Sequence, residues 1–264
     1  MRHEIAADEA MLLAHAEDLL SRAASGAPTA TAFLTPHEQH LLFSRLKGVC
    51  EVTVFHGGYA EAERRKMICL PPYIAECEEP WRTSLINDLI EQSVVALDVR
   101  GSGYRTLSHR DFLGAVLHLG VKRETIGDIC VLDGTHAVLF CDPRMADFLK
   151  ENLTRVANDA VRVEDAVLPP DFDGGRRFER LSDTVASPRL DAVVAALCRL
   201  SRERAQALVA SEQVEVDYEV VTKPDREVTA GCVISARGFG KYKIRSLGEQ
   251  TKKGRLRLAA DRYV

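Results

Sequence analysis

The sequence predicts an α+β protein, and three observations carry that expectation. Between residues 93 and 167, periodic segments follow one another in the order β-α-β-β-α-β. A stretch rich in proline, glycine and charge, LPPDFDGGRRFER at 168–180, then interrupts the periodicity. Beyond it an amphipathic helix pair runs into short alternating strands. The expected layout is a small N-terminal α+β domain at 1–90, a ferredoxin-like middle domain at 91–167 and a linker at 168–182. A helix–helix–strand module at 183–247 and a basic C-terminal segment at 248–264 complete it.

In chain order, residues 4–22 read as a helix with Ile5, Leu12, Leu13, Leu19 and Leu20 on its apolar face. A second helix opens at Thr35-Pro36, with Thr35 as N-cap, Pro36 at N1 and Glu38 at N3, and ends before Gly48. VTVF (52–55) is a strand, Gly57-Gly58 a turn, and 59–66 a short polar helix. MICL (67–70) is a strand paired to the first and stopped by Pro71-Pro72. In the middle domain, strands fall at 93–99, 128–133, 136–141 and 159–167. Helices begin after Ser108 and Asp142 and run to about Leu119 and Val156. This order is shared with many RNA-binding (RRM-like) domains, but the two central strands offer Phe140 as their one aromatic, so base stacking on that sheet is not expected. After the linker, Leu190, Val193, Val194 and Leu197 make one helix face. Ser201 caps the next helix, and strands at 214–216, 219–222 and 232–236 follow.

The composition is that of a globular protein, with 46% hydrophobic and 28% charged residues. No apolar run approaches the ~18–20 residues that span a bilayer. Residues 1–20 carry acids throughout and no apolar signal core, so a cytoplasmic protein without membrane association is expected. Seven cysteines without a CxxC pair argue for reduced, buried thiols and neither metal nor disulfide. The net charge of −4 is unevenly spread. Residues 182–264 hold 15 Lys and Arg against 11 Asp and Glu, whereas the remainder holds 20 against 28. Within 235–257 the bases Arg237, Lys241, Lys243, Arg245, Lys252, Lys253, Arg255 and Arg257 face one acid, Glu249. Such asymmetry suits a polyanion. Arg189, Arg199, Arg202 and Arg204 lie on the polar sides or at the joint of the helix pair, and a planar guanidinium bonds two phosphate oxygens at once.

SPRLD, LSRERAQALV and QVEVD together resemble an S4 RNA-binding domain. The resemblance implies that the helix pair faces RNA, and it matches Arg189, Ser201 and Arg202, with Arg204 just after. Asp217-Tyr218 stands where that family has Asn-Gly, and Gly231-Cys232 where it has Gly-Asp; both departures fall in turns. FLTPHEQ, FHGGYAEAERRK, LSHRDFLGAVLHLGVKRETIGDI, SARGFGK and TKKGR, in order over residues 33–257, resemble the YlmH family of bacterial S4 proteins. That resemblance implies a middle RNA-binding domain and association with the large ribosomal subunit. It also implies a role in ribosome-associated quality control on stalled 50S subunits that still hold peptidyl-tRNA.

Several motifs suggest chemistry and fail on their surroundings. His109-Arg110-Asp111 looks like a kinase catalytic loop, but position 116 is Val and no DFG exists. Ser108 with Asp111 reads instead as a capping box, leaving Arg110, Lys122 and Arg123 as possible additional RNA contacts. His37-Glu38-Gln39-His40 is one residue short of HExxH, and Glu38 belongs to a cap. RGFGK (237–241) begins like an RNP1 motif but has Lys241 where an aromatic is needed, so a glycine turn is expected. Gly57-Gly58-Tyr59 reads as a tight turn rather than an anion site. The RLD at 189–191 also occurs in pseudouridine synthases, but no catalytic domain accompanies it here. The expected function is a monomeric, non-enzymatic RNA-binding factor without cofactor, metal or small-molecule substrate, whose partners are 23S rRNA of the large subunit and tRNA. An S4-targeted RNA-modifying enzyme, or an RNA-binding adaptor in cell division, is the alternative.

Overall fold

A computed structural model of the chain describes residues 2–263 apart from Lys47, Arg176, Arg177 and Lys253; the side chains of 2–6, Ile5 among them, and of Cys50 also lie outside the described residues. The chain divides into two compact units, Met1–Gly175 and Arg176–Val264. The boundary expected at residue 90 falls inside the first unit, and the division falls within the stretch expected as linker.

In the first unit, α1 (Arg2–Ala24) leads to β1 (Thr29–Ala30) and α2 (Pro36–Arg45). The capping box forms as read: the Glu38 amide donates to Thr35 Oγ1 at 3.3 Å and the Thr35 amide to Glu38 Oε2 at 2.6 Å. Strands β2 (Thr53–His56) and β3 (Lys66–Cys69) pair antiparallel, and β1 adds to β3. Two helices follow, α3 (Pro72–Ala75) and α4 (Trp81–Ser93), which the sequence reading passed over. Leu85, Ile86, Leu89 and Ile90 of α4 pack against Ile68, Leu70 and Ile74.

The expected helix at 59–66 does not form. The Glu63 and Arg64 amides donate to Asp128 Oδ2 and Oδ1 at 2.7 and 3.0 Å, and the Tyr59 hydroxyl donates to Oδ2 at 2.7 Å. A buried carboxylate far along the chain thus takes amides that a helix would have turned toward its own carbonyls. Gly57 permits this loop: a Cβ there would stand 2.3 Å from the Arg64 carbonyl oxygen.

The β-α-β-β-α-β order is realised by β4 (Val95–Gly101), α5 (His109–His118), β5 (Ile126–Val131), β6 (His136–Cys141), α6 (Pro143–Asn152), a short β7 (Arg155–Val156) and β8 (Asp159–Asp165). The antiparallel sheet runs β5-β6-β4-β8-β7, which is the ferredoxin-like strand order with β7 appended. Asp111 accepts from the Ser108 amide at 2.8 Å and from its hydroxyl at 2.7 Å, so the HRD triplet opens α5 as a cap. Phe112, Val116, Ala146 and Leu149 of the two helices cover Leu97, Val99, Ala137 and Leu139 on one sheet face.

The other face is closed as well. Phe140 is fully buried, stacked on Tyr59 at 5.0 Å and near Phe172 at 6.1 Å, with Phe33, Val94, Val138 and Cys130 completing the cluster. Residues 168–175, expected as linker, include Leu168 and Phe172 of this packing. A buried ion pair also ties β3 to α6: Lys66 Nζ lies 2.7 Å from Asp142 Oδ2, with both side chains almost wholly shielded. Asp142 is also the N-cap of α6.

The second unit opens with β9 (Phe178–Val185), which extends through residues expected as linker. The helices α7 (Leu190–Cys198) and α8 (Arg202–Ala210) follow, then β10 (Val214–Val216), β11 (Glu219–Val220), β12 (Val233–Ala236), β13 (Gly240–Gln250) and β14 (Leu256–Tyr263). All pairs in the sheet β11-β10-β12-β13-β14-β9 are antiparallel. The segment expected as a basic tail is therefore mostly strand. Leu190, Val193, Val194, Leu197, Ala205 and Val209 pack on Val214, Val216, Ile234, Tyr242, Ile244, Leu258 and Ala260. Alternation along the strands leaves every second residue on the face away from the helices.

Candidate nucleic-acid interface

The helix pair is organised by one carboxylate. Asp191, in the first turn of α7, has no exposed surface. Its Oδ1 accepts from Arg189 Nε at 3.2 Å and Arg202 Nη2 at 3.0 Å; its Oδ2 accepts from Arg189 Nη2 at 3.1 Å and Gln206 Nε2 at 2.8 Å. Burial pushes the Asp191 carboxyl up, but the bonds from Arg189, Gln206 and Arg202 outweigh it and hold the group at about 2. Arg189 and Arg202 remain 41% and 45% exposed. Two guanidiniums are thus fixed side by side over a single negative charge, with a net positive charge directed at solvent. Guanidiniums held in this way can take the oxygens of a phosphate without first being ordered.

The joint between the helices adds to it. Arg199 ends α7 in the left-handed conformation, φ 53°, with its side chain exposed. Ser201 is the N-cap of α8, its Oγ accepting from the Arg204 amide at 3.3 Å, and Arg204 is exposed on the first turn. Ser201 therefore shapes the helix start that presents Arg202 and Arg204.

Three of the remaining basic residues face the other way. Lys241, Lys243 and Arg245 alternate with the buried Tyr242 and Ile244, so they face away from α7 and α8. Arg245 Nε donates to Asp261 Oδ2 at 2.6 Å, and Lys241 Nζ sits 4.9 Å from the ring centroids of both Tyr218 and Tyr263. Arg237 is exposed in the glycine turn between β12 and β13, its amide donating to the Gln213 carbonyl at 2.9 Å. Lys252 is exposed at the β13–β14 turn, and Lys253 lies outside the described residues. Arg255 bonds Thr184 Oγ1 at 2.9 Å and the Thr184 carbonyl at 2.5 Å, which fastens the turn to β9.

Comparison with known proteins matches two families along the chain. Residues 95–169 match the family described as "Putative RNA-binding domain in YlmH", and residues 188–234 match the S4 domain. Over 233 residues the chain is 35% identical to the ribosome-associated protein quality control protein P2 of Bacillus subtilis (strain 168), covering 88% of this chain and 86% of that protein. The chain belongs to the YlmH family. Among solved structures, the cell division protein ylmH from Streptococcus pneumoniae is similar to it at a TM-score of 0.47 and 17% identity, over 61% of this chain and 92% of the other.

In the first unit of this YlmH-family chain, Arg110 is exposed on the first turn of α5, and Lys122 is exposed 3.9 Å from Glu124. Arg123 is directed inward: its Nη1 donates to the carbonyls of Ile126 and Gly127 at 2.6 and 3.2 Å. Arg64 Nε donates to the same Ile126 oxygen at 3.1 Å. Burial, with Arg64 beside it, pushes Arg123 down to about 10. These two arginines thus fasten β5 to its neighbours. His109 is lowered by partial burial and by Arg123.

Among the described residues, no group of three or more His, Cys, Asp or Glu is placed to hold a metal ion, and no helix is long and apolar enough to cross a membrane. His37, of the HEQH stretch, has its Nε2 3.6 Å from Glu9. Sequence reasoning missed Asp191 and Gln206 as anchors. The signal was the Arg-x-Asp spacing of RLD followed by an arginine one helix later.

Proposed function

We propose that this chain is a non-enzymatic RNA-binding factor of the cytoplasm that docks on the large ribosomal subunit through α7 and α8. It contacts 23S rRNA and tRNA and acts in quality control of stalled 50S–peptidyl-tRNA complexes. The observation that carries the reading is the Asp191-anchored pair of guanidiniums. It is supported by the S4 match over 188–234 and by the name of the Bacillus subtilis relative, which associates that protein with ribosomes and quality control. Its mechanism is stabilisation: rRNA and tRNA are held in one geometry and no bond is made or broken. Phosphate contacts release counterions, so affinity falls steeply with salt. The protein acts as a monomer, and Arg110 and Lys122 add contacts from the first unit.

The test is co-sedimentation of the full chain with purified 30S, 50S, 70S and peptidyl-tRNA-bearing 50S particles at low and moderate salt. Preferential migration with the tRNA-bearing 50S, lost on Arg202→Ala/Arg204→Ala, is the expected result. Absence of ribosomal association at low salt would overturn the reading.

A further inference from the structure

The face of the six-stranded sheet opposite α7 and α8 carries a second set of features. Phe178, Arg180, Lys241, Lys243, Asp261 and Tyr263 occupy alternating positions on β9, β13 and β14, and the hairpin residue Tyr218 closes the row. Phe178 meets the Tyr263 ring edge-on at 5.1 Å, and all three aromatics are part-exposed. Asp261 is buried and bonded by Arg245, while Lys243 and Arg180 stand opposite it in register on either side. Three cations thus surround one shielded carboxylate, and the outward charge is positive. Glu215, on β10, stands in the same cross-strand row as Lys241, with Ser235 between them, and is the acid nearest the Tyr218 side of this face.

Tyr218 supplies an independent observation. Asp217 and Tyr218 both have left-handed backbone, φ 50° and 68°, as a two-residue hairpin turn requires. Glycine relaxes the second of those positions, and a bulky aromatic is strained there. The ring that this strained residue holds lies against Lys241, on the outward face. The Phe140 face of the five-stranded sheet is buried, so of the five- and six-stranded sheets it is the latter that carries part-exposed aromatics among the described residues.

We propose that this face is a second nucleic-acid surface, taking unpaired RNA by stacking bases on Tyr218, Tyr263 and Phe178 while Lys241, Lys243 and Arg180 meet its phosphates. The proposal rests on the RNA-binding reading above and adds a separate site to it. Aromatic platforms need bases whose faces are open, which a duplex does not offer; a basic helix pair that reads backbone has no such requirement. The chain would then hold two RNA segments at once, one on each side of its second unit.

The test is fluorescence anisotropy of the full chain with a labelled short oligouridine and with a labelled RNA duplex, at low salt. Tyr218→Gly removes a ring where glycine is the relaxed residue, so lost binding cannot be ascribed to unfolding; Tyr263→Leu keeps bulk in the strand. Each is expected to weaken oligouridine binding by about tenfold. Arg202→Ala/Arg204→Ala is expected to leave oligouridine binding largely intact while losing ribosomal sedimentation, which separates failure of this site from failure of the helix-pair reading. Crosslinking of wild-type protein to iodouridine-containing strands should label Tyr218 or Tyr263. Unchanged affinity in both tyrosine variants, crosslinks confined to α7 and α8, or no binding of oligouridine would each overturn the proposal. So would displacement by polyglutamate as effective as by RNA, which would assign the face to acidic protein segments.

Discussion

Arg202 Nη2 lies 3.0 Å from Asp191 Oδ1, so the first turn of α8 is bonded to the first turn of α7 through a carboxylate that solvent does not reach. The arginine is held by the fold before any ligand arrives. Preorganisation of this kind lowers the ordering cost of binding.

Asp191→Asn separates preorganisation from net charge. The variant is one unit more positive, which by charge alone should tighten RNA binding. Loss of the charge-assisted bonds to Arg189 and Arg202 should instead weaken it, and should cost about 2–3 kcal/mol of stability. Urea midpoints and ribosome affinity measured on the same preparation check both directions.

Replacing Arg202 and Arg204 with Ala removes two phosphate contacts if each meets one. The log–log slope of ribosome affinity against salt should flatten by roughly 1.4–1.8. An unchanged slope would remove these residues from the interface.

Asp191 also sets a pH window. Its folded-state pKa, about 2, lies below the ordinary carboxylate value of ~3.9. The stability it contributes is therefore fully present above about pH 4 and is lost as pH falls toward 2. Hydrogen exchange of α7 amides across that range should show protection falling in the wild type and a flatter profile in Asp191→Asn.

Lys66→Met leaves the Asp142 carboxylate buried with Arg144 as its remaining cation. Removing one member of a shielded pair should cost about 3–5 kcal/mol, read from the shift of the urea midpoint. Lys66→Met combined with Asp142→Asn should recover part of that loss.

Asp128→Ala strips the acceptors from Tyr59, Glu63 and Arg64. We expect a loss of about 2–3 kcal/mol and early proteolytic cleavage within 57–65. Limited proteolysis followed by mass spectrometry reads the second effect.

What could be read from sequence was local. Thr35 with Glu38 and Ser108 with Asp111 form their caps as read, because donor and acceptor lie three residues apart. The 59–66 helix failed because its competing partner, Asp128, is distant in sequence. Phe178–Val185 was hidden for the same reason: it is a strand because β14 lies beside it, and its own residues alternate poorly. The helix-pair arginines were legible from the S4 resemblance and their charge. That Lys241, Lys243 and Arg245 belong to the opposite face follows from β13 pairing with β12 and β14, and the run of basic residues hides it.

The packing of Tyr59 and Phe172 over Phe140 bears on how this chain can be dissected. A fragment cut at 91 and 167 would keep all four ferredoxin-like strands, yet it would leave Phe140, Val138 and Cys130 bare on one side. Such a patch favours self-association over solubility. Deletion studies that seek the contribution of the first unit should therefore keep residues 1–175 together, since aggregation of a shorter piece would be mistaken for loss of RNA binding.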